Sequence, residues 1–170
     1  MLSDPAAERA VLSSLCSNGS DIYLEIGDLL QSSCFTIDSN CIIYKCIKNI
    51  LERSESVKKI DVASILSSAQ EINHGTFFDK KQEIQHLKAI LEFPMDTTNA
   101  IKFAAKIKKL EIARSLRNEL AIAQNKIENI SGTEEITEIL NLAEDTVFDF
   151  TSTLNDPNNH PSELSEGLED

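Results

Sequence analysis

Glu83 and His86 have the types and the spacing of two metal ligands, in the segment Glu83-Ile84-Gln85-His86. Residues three apart on a helix share a face, and di-iron helical bundles use Glu-x-x-His pairs in this way. Such a site needs two of these pairs and two further helical glutamates. The other two histidines, His74 and His160, lie in predicted loops. The pattern therefore favours a surface Glu and His on an amphipathic helix, and we expect no metal site.

Other catalytic motifs are absent from the sequence. It has no Gly-x-x-x-x-Gly-Lys-[Ser/Thr] phosphate loop, and its five glycines are not clustered. The four cysteines form no Cys-x-x-Cys pair and have apolar neighbours, which indicates buried free thiols: Cys16, Cys34, Cys41 and Cys46. We expect no catalytic residue and no cofactor-binding residue in this chain.

The helical periodicity of the apolar residues predicts an all-α fold that begins with a small head of about five helices. Asp4, Ser20, Asp38 and Asp61 are the candidate N-caps of the first four helices. The second is expected to carry Leu29 and Leu30, and the fifth to cover about residues 81–91. We place this head at residues 1–96.

A long antiparallel helical hairpin is predicted for residues 97–152. Its first helix begins at Thr97 or Thr98, and at about 30 residues it is roughly 45 Å long. Its second helix follows Gly132, with Thr133 as the N-cap. The first part of the long helix, roughly residues 99–114, is expected to dock on the head.

The hairpin carries an apolar stripe that its own small head cannot cover, so we expect a partner, and a second copy of the chain is the simplest one. The candidate self-association or partner interface consists of Leu110, Leu116, Leu120, Ile127, Ile136, Ile139, Leu140 and Val147.

Negative charge is concentrated at the C-terminal end. The formal net charge is −12, and residues 131–170 contain eleven acidic and no basic side chains. An acidic segment repels a phosphate backbone, which argues against DNA binding as the main function of the chain. No signal peptide or apolar membrane span is present, and we expect a cytoplasmic protein.

The basic residues of the long helix leave three interpretations open. They could form a strip for nucleic acid, a solvated face, or a charge-matched contact with another protein. These residues are Lys102, Lys106, Lys108, Lys109, Arg114, Arg117 and Lys126.

Residues 153–170 are expected to form an acidic linker and the start of a linker helix. The segment from Asn155 to Pro161 is polar and contains two prolines. A chain that ends just after a linker is expected to be part of a longer protein.

Five segments, in this order along the chain, carry a family pattern: 5–12, 34–44, 60–66, 99–107 and 143–148. They resemble the opening helix, the Phe-Tyr…Ile-Tyr and Ile-Asp segments, and the two hairpin helices of the N-terminal domain of DnaB-type replicative DNA helicases. Departures from the family pattern at Ser13-Ser14 and at residues 77–80 suggest a divergent member and leave a phage origin open.

The resemblance implies a non-catalytic domain that assembles a ring-shaped helicase and receives primase. In such proteins the hairpins pair into dimers within a hexamer, and a C-terminal ATPase domain uses ATP and Mg²⁺ to move along single-stranded DNA. An unrelated helical adaptor module that binds another protein is the alternative.

Overall fold

The computed structural model describes residues 1–93 and 95–155, and in this part of the chain the fold is all-α, with no strand. Two short 3-10 helices, Ser32–Cys34 and Gly75–Asp79, lie in the connections. The α-helices are α1 (Pro5–Asn18), α2 (Ser20–Ile26), α3 (Asp38–Arg53), α4 (Val62–Glu71), α5 (Lys81–Glu92), α6 (Thr97–Glu128) and α7 (Ile136–Leu154).

Helix α1 begins and ends where the sequence predicts. The Asp4 carboxylate accepts a hydrogen bond from the N–H of Ala7, and Pro5 occupies the first helical position. The helix ends at Gly19, which has a φ of 56°. A Cβ on Gly19 would lie 2.1 Å from the carbonyl oxygen of Val57, so this close approach requires glycine.

The N-cap prediction is confirmed at Asp61, whose carboxylate accepts from the N–H of Ser64, and is wrong at two positions. Ser20 is the first residue of α2, and its hydroxyl accepts the N–H of Val57. Asp38 is likewise the first residue of α3, after Ile37 at the N-cap. At Ser20, the hydrogen bond with Val57 thus replaces the N-cap hydrogen bond that a serine at the start of a helix favours.

Helix α2 is shorter than predicted because it ends at Ile26. Leu29 and Leu30 follow in a turn, where Leu30 is still buried in the core. The carbonyl of Leu30 accepts the hydroxyl of Tyr44, whose ring stacks on Phe35 at a centroid distance of 4.8 Å. Apolar spacing alone does not distinguish a helical turn from this tighter turn.

The first compact unit, Met1–Glu111, has α1 at the centre of its core. Helix α1 packs against α2, α3 and α5, and α3 packs against α4. Val11, Leu12 and Leu15 are fully buried. Three cysteines pack in this core as free thiols, and burial raises the pKa of Cys16 to about 12, so this thiol stays protonated.

The first part of α6 docks on the head, as predicted. Ala100, Ala104 and Ile107 belong to its hydrophobic core. Near the end of this unit, the Glu111 carboxylate accepts the Cys34 thiol at 2.7 Å and lies 3.4 Å from the ammonium of the buried Lys108. Lys108 therefore does not belong to a solvated face.

The second compact unit starts at Ile112 and contains the remainder of α6 and all of α7. The two helices are joined by residues 129–135 and form a helical hairpin. The expected linker, residues 153–170, falls almost entirely outside the described residues. No described helix combines the length and the apolar character that a membrane span requires.

Candidate protein–protein interface

Glu134 organises the turn of the hairpin. One carboxylate oxygen accepts the N–H and hydroxyl of Ser131, and the other accepts the N–H of Gly132 at 2.8 Å. Gly132 has a φ of 96°, which favours glycine. Helix α7 consequently begins at Ile136, and the predicted N-cap Thr133 lies in the turn with its hydroxyl on Ser131.

These hydrogen bonds to the ionised carboxylate lower the pKa of Glu134 to about 2, and we expect NMR titration of its side chain to find a midpoint near this value. A lowered pKa stabilises the folded turn above the ordinary glutamate pKa of 4.5, and this contribution disappears as the pH falls towards 2. Ser131→Ala should raise the midpoint only partly, because both backbone donors remain. A wild-type midpoint near 4.5 would show that the turn is not formed in solution.

Helix α7 has two apolar sides, one half-buried and one exposed. None of its residues is fully buried. Its half-buried residues are Ile139, Leu142, Thr146, Phe150 and the last residue of the helix, Leu154, and the first four of them share one side. At about 100° per residue, a second apolar stripe lies roughly 90° further round the helix. This exposed stripe consists of Ile136, Leu140, Ala143 and Val147.

The second half of α6 adds two exposed apolar residues to the same side of the hairpin. Leu116, Ala123 and Ile130 share the least exposed side of this part of α6, and we infer that this side faces α7. Leu120 and Ile127 lie about 50° round from them. The two helices run antiparallel, so a rotation in the chain direction on α6 and one on α7 lead to the same side of the hairpin. Leu120 and Ile127 of α6 therefore lie on the same side as the exposed stripe of α7.

We call this side the stripe face, defined by Leu120, Ile127, Ile136, Leu140 and Val147. Their exposed fractions run from 43% at Leu120 to 75% at Ile136. All five belong to the interface predicted from the sequence. The other three predicted residues, Leu110, Leu116 and Ile139, are half-buried. Ile122 and Phe148 are also exposed but lie outside the stripe face.

Glu83 and His86 contact other polar side chains. The Glu83 carboxylate accepts the hydroxyl of Ser39, and the His86 Nε2 lies 2.7 Å from the Asn40 Oδ1. Burial lowers the pKa of His86, which favours the neutral imidazole. Within residues 1–93 and 95–155, no three potential metal-ligating side chains of His, Cys, Asp or Glu cluster together.

His74 does have a glutamate at the Glu-x-x-His spacing, Glu71. The Glu71 carboxylate instead accepts hydrogen bonds from Asn49 and from Arg53, the latter at 2.9 Å. Both partners hold this carboxylate in a contact between α3 and the end of α4.

Sequence reasoning missed the buried carboxylate of Glu8. Only 1% of this residue is exposed. It accepts the N–H of Thr36 at 3.0 Å, the hydroxyl of Thr36 at 2.6 Å and the amide of Asn40 at 3.2 Å. These bonds join α1 to the start of α3. The signal was present, since Glu8 precedes Val11, Leu12 and Leu15 at helical spacing and so belongs to the buried face.

The comparisons with known proteins place this fold in a family. The family model described as the DnaB-like helicase N terminal domain matches residues 1–109, and the chain belongs to this family. A similar solved structure is the N-terminal domain of DnaB helicase from Mycobacterium tuberculosis. It is 16% identical with a TM-score of 0.67, and the match covers 86% of this chain and 97% of that one.

At this level of identity, the structural match establishes the shared fold alone. No curated protein matches the chain. Membership of this family identifies the chain as a non-catalytic domain of the helicase family. It also excludes the alternative of an unrelated adaptor module.

Proposed function

We propose that this chain is the assembly domain of a ring-shaped replicative DNA helicase. Copies would pair through their hairpins, and the assembled domains would receive primase. Unwinding of duplex DNA at the fork, with its requirement for ATP, Mg²⁺ and single-stranded DNA, would belong to a C-terminal ATPase domain of the full-length protein. The full protein would work in the cytoplasm as a hexamer.

The stripe face is the observation that carries this proposal. Leu140 is 61% exposed and Ile136 is 75% exposed, on a helix without a fully buried residue. Transfer of apolar surface out of water contributes about 25 cal/mol per Å², so a continuous exposed stripe favours association. Because the stripe runs along two helices of one hairpin, it can pack against the same stripe of a second copy.

Family membership supports the second part of the proposal, the docking of primase. To test it, purified primase from the same genome is titrated into the 170-residue chain and followed by sedimentation velocity. We expect primase to sediment with the dimeric chain, and Leu140→Asp to weaken this binding because it removes the dimer.

Asn141→Asp is the matched control for this titration, since it adds the same charge one residue away and off the stripe face. It should leave primase binding unchanged. Absence of binding to a demonstrably dimeric chain would refute primase docking while leaving self-association standing.

A further inference from the structure

We propose that the acidic C-terminal segment of this chain, residues 162–170, docks in a groove between α1 and α5 of the head. Leu164 and Leu168 would enter the groove, and the carboxylates beside them would lie near Arg9. This contact involves neither the stripe face nor a second hairpin, so it stands apart from the proposed self-association. It would give the segment that follows α7 a binding site on the head.

The groove is an open cavity of about 320 Å³ whose lining residues lie on α1, on α5 and just after α5. Three of them are alanines, Ala6, Ala10 and Ala89, and their short side chains leave the space open. Phe93 also lines the groove, with 72% of its surface exposed to solvent. Concave surfaces with a mostly apolar lining are typical of binding sites, so this groove is a candidate for one.

A hydrogen bond holds the two walls of the groove together. The hydroxyl of Ser13 on α1 donates to the carbonyl of Phe93 at the end of α5. Ile90, another lining residue, is 3% exposed and belongs to the hydrophobic core of the head. The groove therefore exists before anything binds, which lowers the entropic cost of docking.

Arg9 gives the groove an unpaired positive charge. Its side chain is exposed and forms no ion pair within the described part of the chain. His86 is the other titratable residue of the lining, and burial lowers its pKa, which favours the neutral imidazole. Because no acidic side chain among the described residues lines the groove, it fits an apolar segment flanked by carboxylates.

The last nine residues of the chain have the complementary pattern. They contain two leucines four residues apart, three glutamates, one aspartate and no basic residue. Residues four apart share one side of a helix, so a helical turn would present Leu164 and Leu168 to the groove together. The carboxylates on either side would attract Arg9, and the absence of lysine and arginine avoids repulsion. No second protein is needed to fill the groove.

Methyl NMR of the full 170-residue chain tests this docking. Replacing both leucines, Leu164→Ser with Leu168→Ser, should shift the methyl resonances of Ala10, Ala89 and Ile90, because the leucine side chains leave the groove. A synthetic peptide of residues 156–170, added in excess to this variant, should return these resonances to their wild-type positions.

Ser162→Ala is the control within the same segment, because position 162 lies on the other side of a helix from both leucines. It should leave the methyl resonances of the groove unchanged. A shift of equal size in this control and in the leucine variant would show that the leucines do not enter the groove.

Substitution on the groove side gives a second measurement. Ala89→Glu fills the groove and adds a carboxylate near Arg9, and the fold should persist because Ala89 is exposed. Backbone amides of residues 163–169 should then exchange hydrogen at least about fivefold faster than in the wild type, because the segment is released. Gln82→Glu is the matched control, since it adds the same charge to α5 about 10 Å away, and it should exchange like the wild type.

Wild-type methyl resonances in the leucine variant would overturn the inference. Shifts at Leu140 and Val147 instead of the groove would overturn it as well, because they would place the segment on the stripe face. The association state is read separately by sedimentation equilibrium. A monomeric wild type that shows the groove shifts would therefore refute the proposed self-association and leave this docking intact.

Discussion

Replacing Glu8 with alanine should destabilise the head by about 3 kcal/mol, a large effect for a single substitution. The carboxylate accepts three hydrogen bonds, two of them from Thr36. Its removal leaves the amide of the fully buried Asn40 without this acceptor and removes both hydrogen bonds to Thr36. An unsatisfied buried donor costs about 1–3 kcal/mol. Urea unfolding followed by circular dichroism measures the change.

Two further substitutions sharpen this test. Glu8→Gln keeps a side-chain oxygen as an acceptor and should cost less than Glu8→Ala. Glu25→Ala removes an exposed carboxylate from α2 and should change the free energy of unfolding by no more than about 0.5 kcal/mol. A Glu8→Ala protein as stable as the Glu25→Ala control would show that the network does not hold α1 to α3.

Leu140→Asp should weaken self-association by at least about 100-fold, which corresponds to 2.8 kcal/mol. Leu140 lies in the middle of the stripe face, so the substitution would bury an unpaired carboxylate in an apolar contact between copies. Its 61% exposure in the single chain means that the fold itself should be nearly unaffected. Sedimentation equilibrium measures association, and circular dichroism measures helix content and melting.

The matched control is again Asn141→Asp, which adds the same charge beside Leu140 but outside the stripe face. It should dimerise like the wild type. Equal association of the two variants would place the contact between copies elsewhere on the molecule.

Helix positions were predictable from the sequence because apolar spacing and Gly and Pro signals agree locally. The pattern predicted α5 to within a residue and α6 from Thr97. Helix ends were less predictable where a distant group competes for the cap, as Val57 does at Ser20. At the hairpin turn, Glu134 binds the backbone N–H groups and displaces Thr133 from the N-cap role.

The candidate interface was predictable in part. Apolar periodicity indicates which residues of the hairpin are on an apolar side, but it does not say which of them the neighbouring helix shields from solvent. Leu116 and Leu120 therefore looked equivalent in sequence. The structure separates them, with Leu120 exposed and Leu116 half-buried. Helical spacing placed Glu8 on the buried face, but its partners Thr36 and Asn40 lie about 30 residues further along the chain and could not be identified from the sequence.

Sedimentation equilibrium of the unsubstituted 170-residue chain, over a range of concentrations, tests self-association through the hairpin most directly. We predict a mass that rises from that of the 18.9 kDa chain to twice this value, and a transition that Leu140→Asp shifts to much higher concentration. A chain that remains at 18.9 kDa up to roughly 100 µM would contradict the account, because a stripe face that does not pair at this concentration is not an assembly surface.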